Sequence, residues 1–322
     1  MEKLFLTFVF AIVATIAVKA QKISVVSSNG ATQVYKTFQE AIEGADPGSV
    51  IYLPGGGFPI SDDVKITKKL TIIGIGHKIN SENPDGYTTI GGNLIFNQGS
   101  DGSAVLGCHI TGTIHIGEDG NEVDDVLIRC NNTNGVNVRN SLCKGTTINQ
   151  NYIRSEAIFN SASVRFTNNI SPWVLNLDDG YISNNIITGE IYNNWNSNAF
   201  NSCDRTSFTN NIILSGNIHS GGDCQASGNM CLKEWGDDCI NVNKEGFKWE
   251  DVFEDYKGIT PTSKFTFKED YKEYQGKVGI YSGTGFSDDQ LAPVPYIVAK
   301  SIPEQTDASG KLNIKIRVKA GK

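Results

Sequence analysis

Charged side chains in the middle of the chain are of types that suit chemistry on an acidic substrate. Carboxylate oxygens bind calcium, while a cationic side chain can neutralise a substrate carboxylate as a nearby base removes a proton. The acidic turn pairs are Asp124-Asp125, Asp178-Asp179 and Asp204-Arg205. The basic candidates are Arg129, Arg139, Lys144, Arg154, Arg165 and Arg205. Because Asp-rich turns are usually solvated, the pairs alone do not predict a metal site, and we expect none.

Histidine is a common general base because its ordinary pKa lies near neutrality. Of the four histidines, His115 and His219 occupy outward positions of predicted strands, but they are 104 residues apart and should not form one pair. If the protein is an enzyme, the catalytic candidates are therefore His115, Arg139 and Asp178, on a face that also contains Tyr192.

Aromatic residues next to amides indicate a different role, the binding of sugars. Tyr192 and Trp195 lie beside several Asn residues, and Trp173 belongs to the preceding repeat. Aromatic faces stack on sugar rings, and amides hydrogen-bond to hydroxyls. We predict Trp173, Tyr192 and Trp195 as substrate-binding residues. The alternative is that Trp195 packs on the outer wall of the protein.

The strands that must position these side chains are predicted by an internal repeat. An apolar residue, two further small or polar residues and then Asn recur, with the final Asn at 151, 169, 185, 211 and 229. This spacing is typical of one turn of a β-solenoid. The apolar and polar alternation predicts short strands with one face inward. A second set of predicted strands comprises Thr113–Ile116, Gly135–Val138, Glu156–Phe159, Trp173–Leu177, Glu190–Tyr192 and Asn217–His219.

The recurring Asn has a physical role in such a stack. Neighbouring turns lie about 4.8 Å apart, so an inward amide at one corner can hydrogen-bond to the amide of the next turn. Each bond contributes about 1 kcal/mol, and an unpaired buried amide costs more. Counting back from Asn151 places Cys130 and Cys108 at this corner, with Leu127 and Val105 at the apolar position. The alternative is that the Asn residues lie in solvated loops.

Both ends of the predicted stack have capping elements. Thr37 with Glu40 forms a capping box, and it begins a helix whose apolar face is Phe38, Ala41, Ile42 and Ala45. Near the C-terminus, residues 294–319 alternate in polarity on both sides of a turn at 307–310, which predicts a hairpin.

Three motifs near the N-terminus resemble the opening of pectin-lyase-like proteins. They are Phe-Gln-Glu-Ala-Ile at 38–42, Pro-Gly-Ser-Val-Ile-Tyr-Leu-Pro-Gly-Gly at 47–56 and Lys-Leu-Thr-Ile-Ile-Gly-Ile-Gly at 69–76. The resemblance covers residues 31–76 by motif and 93–240 by repeat. It implies an all-β fold, a right-handed parallel β-helix with an N-terminal capping helix and a C-terminal β-hairpin tail. Such folds include lyases, hydrolases, esterases, phage spikes and adhesins, so the resemblance implies little about activity.

The segment Gly236-Asp237-Asp238-Cys239-Ile240 resembles a motif of polygalacturonases, in which paired Asp residues do acid/base work. The companion motifs of that family, Asn-Thr-Asp, Gly-His-Gly and Arg-Ile-Lys, do not occur in this sequence. The Arg-x-Pro-x-Arg arrangement of calcium-dependent pectate lyases does not occur either. We therefore interpret the segment as a turn followed by a strand.

The predicted domains are a signal peptide at 1–20, the β-helix at 21–287 and the hairpin tail at 288–322. Lys3, an apolar run to Val18 and the small residue Ala20 favour export, with a retained N-terminal anchor as the alternative. Loss of residues 1–20 removes two Lys and one Glu, which takes the net charge from −7 to −8. This negative charge disfavours nucleic acid as a partner.

The seven Cys predict mostly buried thiols with at most one or two bridges.

The leading functional hypothesis is a bacterial protein that is secreted, periplasmic or on the cell surface, and that presents an elongated carbohydrate-binding face to a polysaccharide. We expect a monomer without a membrane span, without a cofactor and without complete catalytic machinery. One alternative is a polysaccharide lyase or glycoside hydrolase acting on uronate-containing glycans, in which case calcium could be required. A structural adhesin is the further alternative.

Overall fold

The structure is a computed structural model that describes residues 22–60, 63–77, 86–189, 198–215, 217–254, 256–260, 263–283, 285–286, 294–301, 303, 305–306 and 309–319. The predicted signal peptide lies outside these residues, as do Tyr192 and Trp195. Within the described residues, no helix has both the length and the apolar character that a membrane span requires.

The described part of the chain is mostly β-strand, with one α-helix, α1, at Phe38–Gly44. Short 3-10 turns occur at Glu118–Gly120, Trp249–Asp251 and Glu269–Tyr274. The first fourteen strands are β1 Ile23–Val26, β2 Thr32–Tyr35, β3 Ser49–Tyr52, β4 Gly56–Pro59, β5 Val64–Ile66, β6 Leu70–Ile73, β7 Thr88–Gly91, β8 Leu94–Phe96, β9 Ala104–Leu106, β10 His109–Ile116, β11 Leu127–Arg129, β12 Asn132–Val138, β13 Thr146–Asn149 and β14 Tyr152–Ala162. The next fourteen are β15 Val164–Thr167, β16 Ile170–Ser171, β17 Val174–Leu177, β18 Tyr181–Ser183, β19 Ile186–Ile187, β20 Asn198–Cys203, β21 Ser207–Thr209, β22 Ile212–Ile213, β23 Asn217–Ser220, β24 Gln225–Ser227, β25 Met230–Cys231, β26 Ile240–Asn241, β27 Tyr296–Ser301 and β28 Lys315–Lys319.

Two large sheets are formed by strands that alternate along the chain. The first sheet has the order β2-β1-β3-β6-β9-β11-β13-β15-β18-β21-β24. Its β1–β2 and β1–β3 pairs are antiparallel, and the pairs from β3 to β24 are parallel. From β9 onward, neighbouring strands of this sheet are 16 to 26 residues apart in sequence. The spacing is read from one row of aligned residues, which contains Val105, Ile128, Ile148, Phe166, Ile182, Phe208 and Ala226.

The second sheet consists of two rows that share the long strands β10, β12 and β14. One row is β26-β25-β22-β19-β16-β14-β12-β10-β7-β4, and the other joins β5, β8, β10, β12, β14, β17, β20 and β23. In the repeat where a strand was predicted at Glu190–Tyr192, the strand that pairs with β17 is β20. Residues 190–197 lie outside the described residues. The prediction of an all-β chain with large parallel sheets is confirmed.

An Asn ladder connects the two sheets at the corner where the chain passes from one to the other. Asn185 is representative: its Oδ1 accepts from the backbone N–H of Asn169 at 2.8 Å, and its Nδ2 donates to Asn211 Oδ1 and to the Phe166 carbonyl, both at 2.9 Å. The same pattern runs from Asn131 to Asn229, and all six ladder residues are fully buried. The predicted stacking of amides is confirmed for the five Asn residues named from the sequence.

The register of the ladder corrects one prediction by a single residue. Arg129 pairs with Asn149 in the first sheet, so Asn131, and not Cys130, is level with Asn151. Ile128, and not Leu127, therefore occupies the apolar position, whereas Val105 and Cys108 are placed as predicted. The physical reason is that Cys130 adopts a left-handed conformation, with φ 56°, which turns the following residue inward.

The residue before each ladder Asn is left-handed throughout, and in three repeats it is itself Asn. The side chains of Asn168 and Asn184 bind a C-terminal segment, which Asn210 contacts through its backbone carbonyl. Asn168 Nδ2 donates to the carbonyls of Ile280 and Ser282 at 3.0 and 2.6 Å, and Ser282 Oγ donates to Asn184 Oδ1 at 2.6 Å. The pairs Asn168-Asn169 and Asn184-Asn185 therefore each have one amide in the ladder and one that binds this segment. We call residues 249–286 the covering segment.

Two apolar clusters follow from this arrangement. The main core lies between the sheets, and it contains Ile128, Phe166 and Phe208. The second cluster lies between the covering segment and the outer face of the second sheet, where Ile186 and Ile212 pack with Phe253. This second cluster was not predicted from the sequence, because residues 254–287 are charged and irregular. Trp249 belongs to it as well, and its Nε1 donates to the Leu214 carbonyl at 2.7 Å.

The two ends of the chain contain the predicted elements. Thr37 and Glu40 form a reciprocal capping box at the start of α1, and Phe38 and Ile42 are buried against the main core. This helix packs on β1 and β2. Near the C-terminus, β27 and β28 pair antiparallel where the alternating sequence predicted a hairpin.

Replacement of Asn185 by Ala is expected to lower the free energy of unfolding by about 2–4 kcal/mol. The substitution leaves the backbone N–H of Asn169 without its acceptor, and it removes the amide that donates to the Phe166 carbonyl and to Asn211 Oδ1. A buried group left unpaired costs about 1–3 kcal/mol. Urea denaturation followed by circular dichroism measures the change. The exposed Asn243 is the matched control, and Asn243→Ala should change stability by less than about 0.5 kcal/mol. Equal effects of the two substitutions would contradict the role of the ladder.

Candidate functional site

The structure brings together two of the three predicted catalytic residues. Arg139 Nε donates a hydrogen bond to His115 Nδ1 at 3.1 Å, and Glu118 Oε1 lies 3.6 Å from the same Nε. Asp178 is elsewhere: it follows β17, Arg139 follows β12, and β14 lies between these strands. Since neighbouring strands are about 4.8 Å apart, about 10 Å of sheet separates the two positions. Asp178 pairs instead with Arg205.

Each predicted catalytic residue is already engaged by a neighbouring side chain. Arg139 can donate to His115 Nδ1 only if that nitrogen carries no proton, so the contact holds His115 neutral. Burial lowers the pKa of His115, the charge of Arg139 lowers it further, and Glu118 opposes them. Arg205 binds both Asp178 and Asp179, with 2.9 Å between Nε and Asp179 Oδ1. These ion pairs fit a structural role at the surface.

Of the predicted sugar-binding residues, Trp173 is the one that the structure describes. It is half-buried in the turn between β16 and β17, where its carbonyl accepts a hydrogen bond from Ser171 Oγ at 3.0 Å. Tyr192 and Trp195 lie outside the described residues. The aromatic cluster therefore remains a prediction.

A polar row crosses the outer face of the second sheet at β7, β10, β12 and β14. Pairing in register aligns Thr89 with His109, His109 with Asn132, and Asn132 with Tyr152. We call these four residues the polar row. Three steps between strands give the row a length of about 14 Å. His109 is half-buried, and the ring of Tyr87 lies beside it with the ring centroids 6.2 Å apart.

Arg154 lies against this row and is held in one orientation. Its Nη2 donates to the carbonyls of Ile110 and Thr111 at 2.9 and 3.0 Å, and its Nη1 donates to Asn132 Oδ1. All three acceptors are neutral. Among the described residues, no carboxylate forms an ion pair with Arg154, in contrast to Arg139 and Arg205. A half-buried, oriented guanidinium without a counter-charge is a good partner for an anion.

His109 is kept neutral by the same surroundings. Burial lowers the pKa of His109 below its ordinary value, and the positive charge of Arg154 lowers it further. Its Nδ1 lies 3.5 Å from Thr89 Oγ1. Burial also lowers the pKa of Arg154, while Tyr152 opposes that shift. We call Tyr87, His109, Asn132, Tyr152 and Arg154 the Arg154 site; it combines one cation, one neutral imidazole and two phenol rings.

The covering segment determines where the polar row ends. Beyond Tyr152, the same outer row continues as Ile170, Ile186, Ile212 and Met230, and all four are buried under residues such as Phe253 and Ile280. The covering segment reaches Gln150, whose Nε2 donates to the Gly285 carbonyl. The outer face is therefore apolar where it is covered and polar at the Arg154 site.

Arg154 is one of the six basic candidates predicted from the sequence, whereas His109, Asn132 and Tyr152 were not predicted. A signal was present: each of these residues directly follows a ladder position, as Ile170, Ile186, Ile212 and Met230 do in later repeats. The change from polar to apolar at this position marks the open part of the face. The one-residue error at Cys130 hid the pattern.

The segment that resembles a polygalacturonase motif forms a turn and a strand, as interpreted from the sequence. Asp237 pairs with Ser227 as an isolated bridge, Asp238 is left-handed with φ 50°, and β26 follows. A depression of about 580 Å³ on the outer face of the first sheet includes Asp237 as its one acidic lining residue. A hydrolase needs a second carboxylate, which this lining does not supply.

Within the described residues, no three His, Cys, Asp or Glu side chains are grouped so that they could hold a metal ion. Comparison of the chain with protein-family models, curated proteins and solved structures gave no match. Its function is therefore inferred from the geometry of the Arg154 site.

Replacement of Arg154 by Gln is expected to raise the pKa of His109. The guanidinium charge is the second cause of the lowered pKa, so its removal moves the value up, although burial keeps it below the ordinary one. An NMR titration of the imidazole resonances measures this shift, with His109→Gln for the assignment. The control, Arg139→Gln, should raise the pKa of His115 and leave that of His109 unchanged. An unchanged or lower His109 pKa in Arg154→Gln would contradict the proposed electrostatics.

Proposed function

We propose that this chain is a secreted right-handed parallel β-helix protein that binds an acidic polysaccharide at the Arg154 site. The β-helix is supported by the two large parallel sheets, by repeats of 16 to 26 residues and by one amide per repeat at a shared corner. A monomer suffices for this function, since each residue of the Arg154 site comes from one chain.

The observation that carries the proposal is the orientation of Arg154 by three neutral acceptors without a carboxylate partner among the described residues. The carboxylate of a uronate sugar supplies the missing counter-charge. Charge-assisted hydrogen bonds from guanidinium to carboxylate are about twice as strong as neutral ones. A fixed guanidinium loses little side-chain entropy when it binds, which adds to the affinity.

The surroundings of Arg154 fit a sugar polymer. Tyr87 and Tyr152 offer aromatic faces for sugar rings, while the buried Asn132 holds Arg154 in place through its Oδ1. The polar row runs across strands for about 14 Å, so an extended polymer can contact it over several sugar units. The chain's net charge of −7 disfavours nucleic acid as the anionic partner, because duplex binding needs many clustered cations.

Polygalacturonate is expected to bind the mature protein, and Arg154→Gln is expected to weaken binding about 10- to 100-fold. The loss corresponds to one charge-assisted hydrogen-bonded contact of about 1.5–3 kcal/mol. Isothermal titration calorimetry at low and high salt measures the affinity. Arg139→Gln is the matched control, because that cation is neutralised by Glu118. Fully methyl-esterified polygalacturonate, which has the same backbone without the charge, should bind weakly to both proteins.

Failure of the wild-type protein to bind any uronate polymer would refute the proposal and favour a structural adhesin. Equal loss in Arg154→Gln and Arg139→Gln would refute the assignment of the site while leaving polysaccharide binding in place.

A second function, polysaccharide lyase, is favoured by the neutral state of His109 beside Arg154. A lyase removes the proton next to the uronate carboxylate, so it needs a cation that neutralises the carboxylate and a base that is unprotonated near neutral pH. Arg154 and His109 have these properties, whereas the predicted pair Arg139 and His115 is satisfied internally.

If the protein is a lyase, incubation with polygalacturonate should produce unsaturated products that absorb in the ultraviolet. His109→Gln should abolish the product while it retains binding, since His109 takes the proton and Arg154 holds the carboxylate. His115→Gln is the control and should keep full activity. Absence of product from the wild-type protein, together with retained binding, would leave polysaccharide binding as the function and exclude the lyase on this substrate.

A further inference from the structure

Cys231 and Cys239 meet at the C-terminal end of the second sheet. Cys231 is the last residue of β25, Cys239 directly precedes β26, and these strands pair in register through Met230 and Ile240. Their Sγ atoms are 3.2 Å apart. A disulfide needs about 2 Å, so side-chain movements of about 1 Å would bring the atoms to bonding distance.

The loop between the two cysteines covers the end of the main core. Trp235, in the middle of this loop, packs on Phe208 and Phe200, with ring centroids 4.9 and 5.7 Å apart. The Lys233 carbonyl accepts from the Cys231 thiol at 2.8 Å, and Cys239 Sγ lies 3.7 Å from it. The loop is thus folded back onto the two sulfur atoms, and Trp235 is the aromatic residue that the loop places on the core.

Another pair of cysteines near this end has a different geometry. The Cys224 thiol donates to the Cys203 carbonyl at 2.7 Å, which directs its hydrogen-bonding group to the backbone. Cys203 is buried and donates in turn to the Val174 carbonyl at 3.7 Å. Proximity in the fold therefore does not by itself bring sulfur atoms together here, and Cys203 and Cys224 provide an internal comparison.

We propose that Cys231 and Cys239 form a disulfide when the protein meets a disulfide oxidant, and that this bond holds Trp235 over the end of the core. The inference does not depend on polysaccharide binding, because the Arg154 site lies on β10, β12 and β14. A bond between these residues closes a short ring, which prevents β26 and the loop before it from separating from β25.

Thiol–disulfide exchange supplies the chemistry. Cys239 is the more exposed of the two, so its thiolate attacks a low-molecular-weight disulfide and releases one thiolate. Cys231 then loses its proton to solvent and attacks Cys239 Sγ, which releases the second thiolate. Two protein thiols and one oxidant disulfide become one protein disulfide and two reduced thiols. Burial raises the pKa of Cys231 to about 12, which makes it a poor nucleophile toward an external disulfide, but Cys239 Sγ lies 3.2 Å away, so the second attack is intramolecular.

A tryptic peptide map tests this proposal, because Lys233 lies inside the ring. Cleavage after Arg205, Lys233 and Lys244 places Cys231 in the peptide 206–233 and Cys239 in the peptide 234–244. The mature full-length protein is incubated with oxidised glutathione, unfolded, alkylated and digested without reductant. We expect the two peptides to remain linked and to separate on reduction, and the number of alkylated Cys to fall from seven to five.

Cys224 shares the peptide 206–233, so Cys224→Ser is the matched control. The link should survive in Cys224→Ser and be lost in Cys239→Ser. Fragmentation of the linked wild-type peptides identifies the bonded sulfur atoms even if a variant fails to fold. Reductant should also lower the melting temperature of the oxidised wild-type protein by several degrees, and it should not change that of Cys239→Ser. Seven alkylated cysteines in the oxidised wild type, or a link through Cys224, would overturn the proposal.

Discussion

The corner between the two sheets is the constraint on which the rest of this protein depends. Each repeat turns there through a left-handed residue, and the turn exposes backbone N–H and C=O groups that lie too deep to meet water. One Asn side chain per repeat accepts from a backbone N–H of the previous repeat and donates to a carbonyl of that repeat's strand in the first sheet. Asn185, for example, accepts from Asn169 and donates to Phe166. Because each amide also donates to the next, the repeats are held in one register.

The same corner organises the outer surface. Where the left-handed residue is Asn168 or Asn184, its side chain points out and fixes the covering segment, which buries Ile186 and Ile212. Toward the N-terminus the covering segment ends, and the equivalent outer positions are polar. The location of an open, polar face is thus a consequence of how far one C-terminal segment extends over a regular sheet. The covering segment reaches Gln150, and Tyr152 lies at the boundary, since it packs against the second apolar cluster and also belongs to the Arg154 site.

Charge compensation distinguishes the candidate site from the other polar groups of this surface. Arg139 has Glu118, and Arg205 has two carboxylates, so neither offers an unmet charge to a ligand. Arg154 is held by neutral acceptors, and its charge acts on His109 instead of on a carboxylate. Residue type alone treats the three arginines as equivalent. Their partners make one of them suited to recognise an anion and the other two suited to structural ion pairs.

The sequence by itself determined the repeat, the stacked amides and the capping box of α1, because each follows from a local pattern with fixed spacing. It misplaced the corner at Cys130 by one residue, because the repeat before Asn151 is 20 residues long and not 21; Ile128 to Asn131 fits the repeat pattern. Only the tertiary structure decided which cations are paired and which face is covered. Those outcomes depend on contacts such as Asn168 with Ile280, 112 residues apart, and no local pattern encodes a contact between such distant parts of the chain.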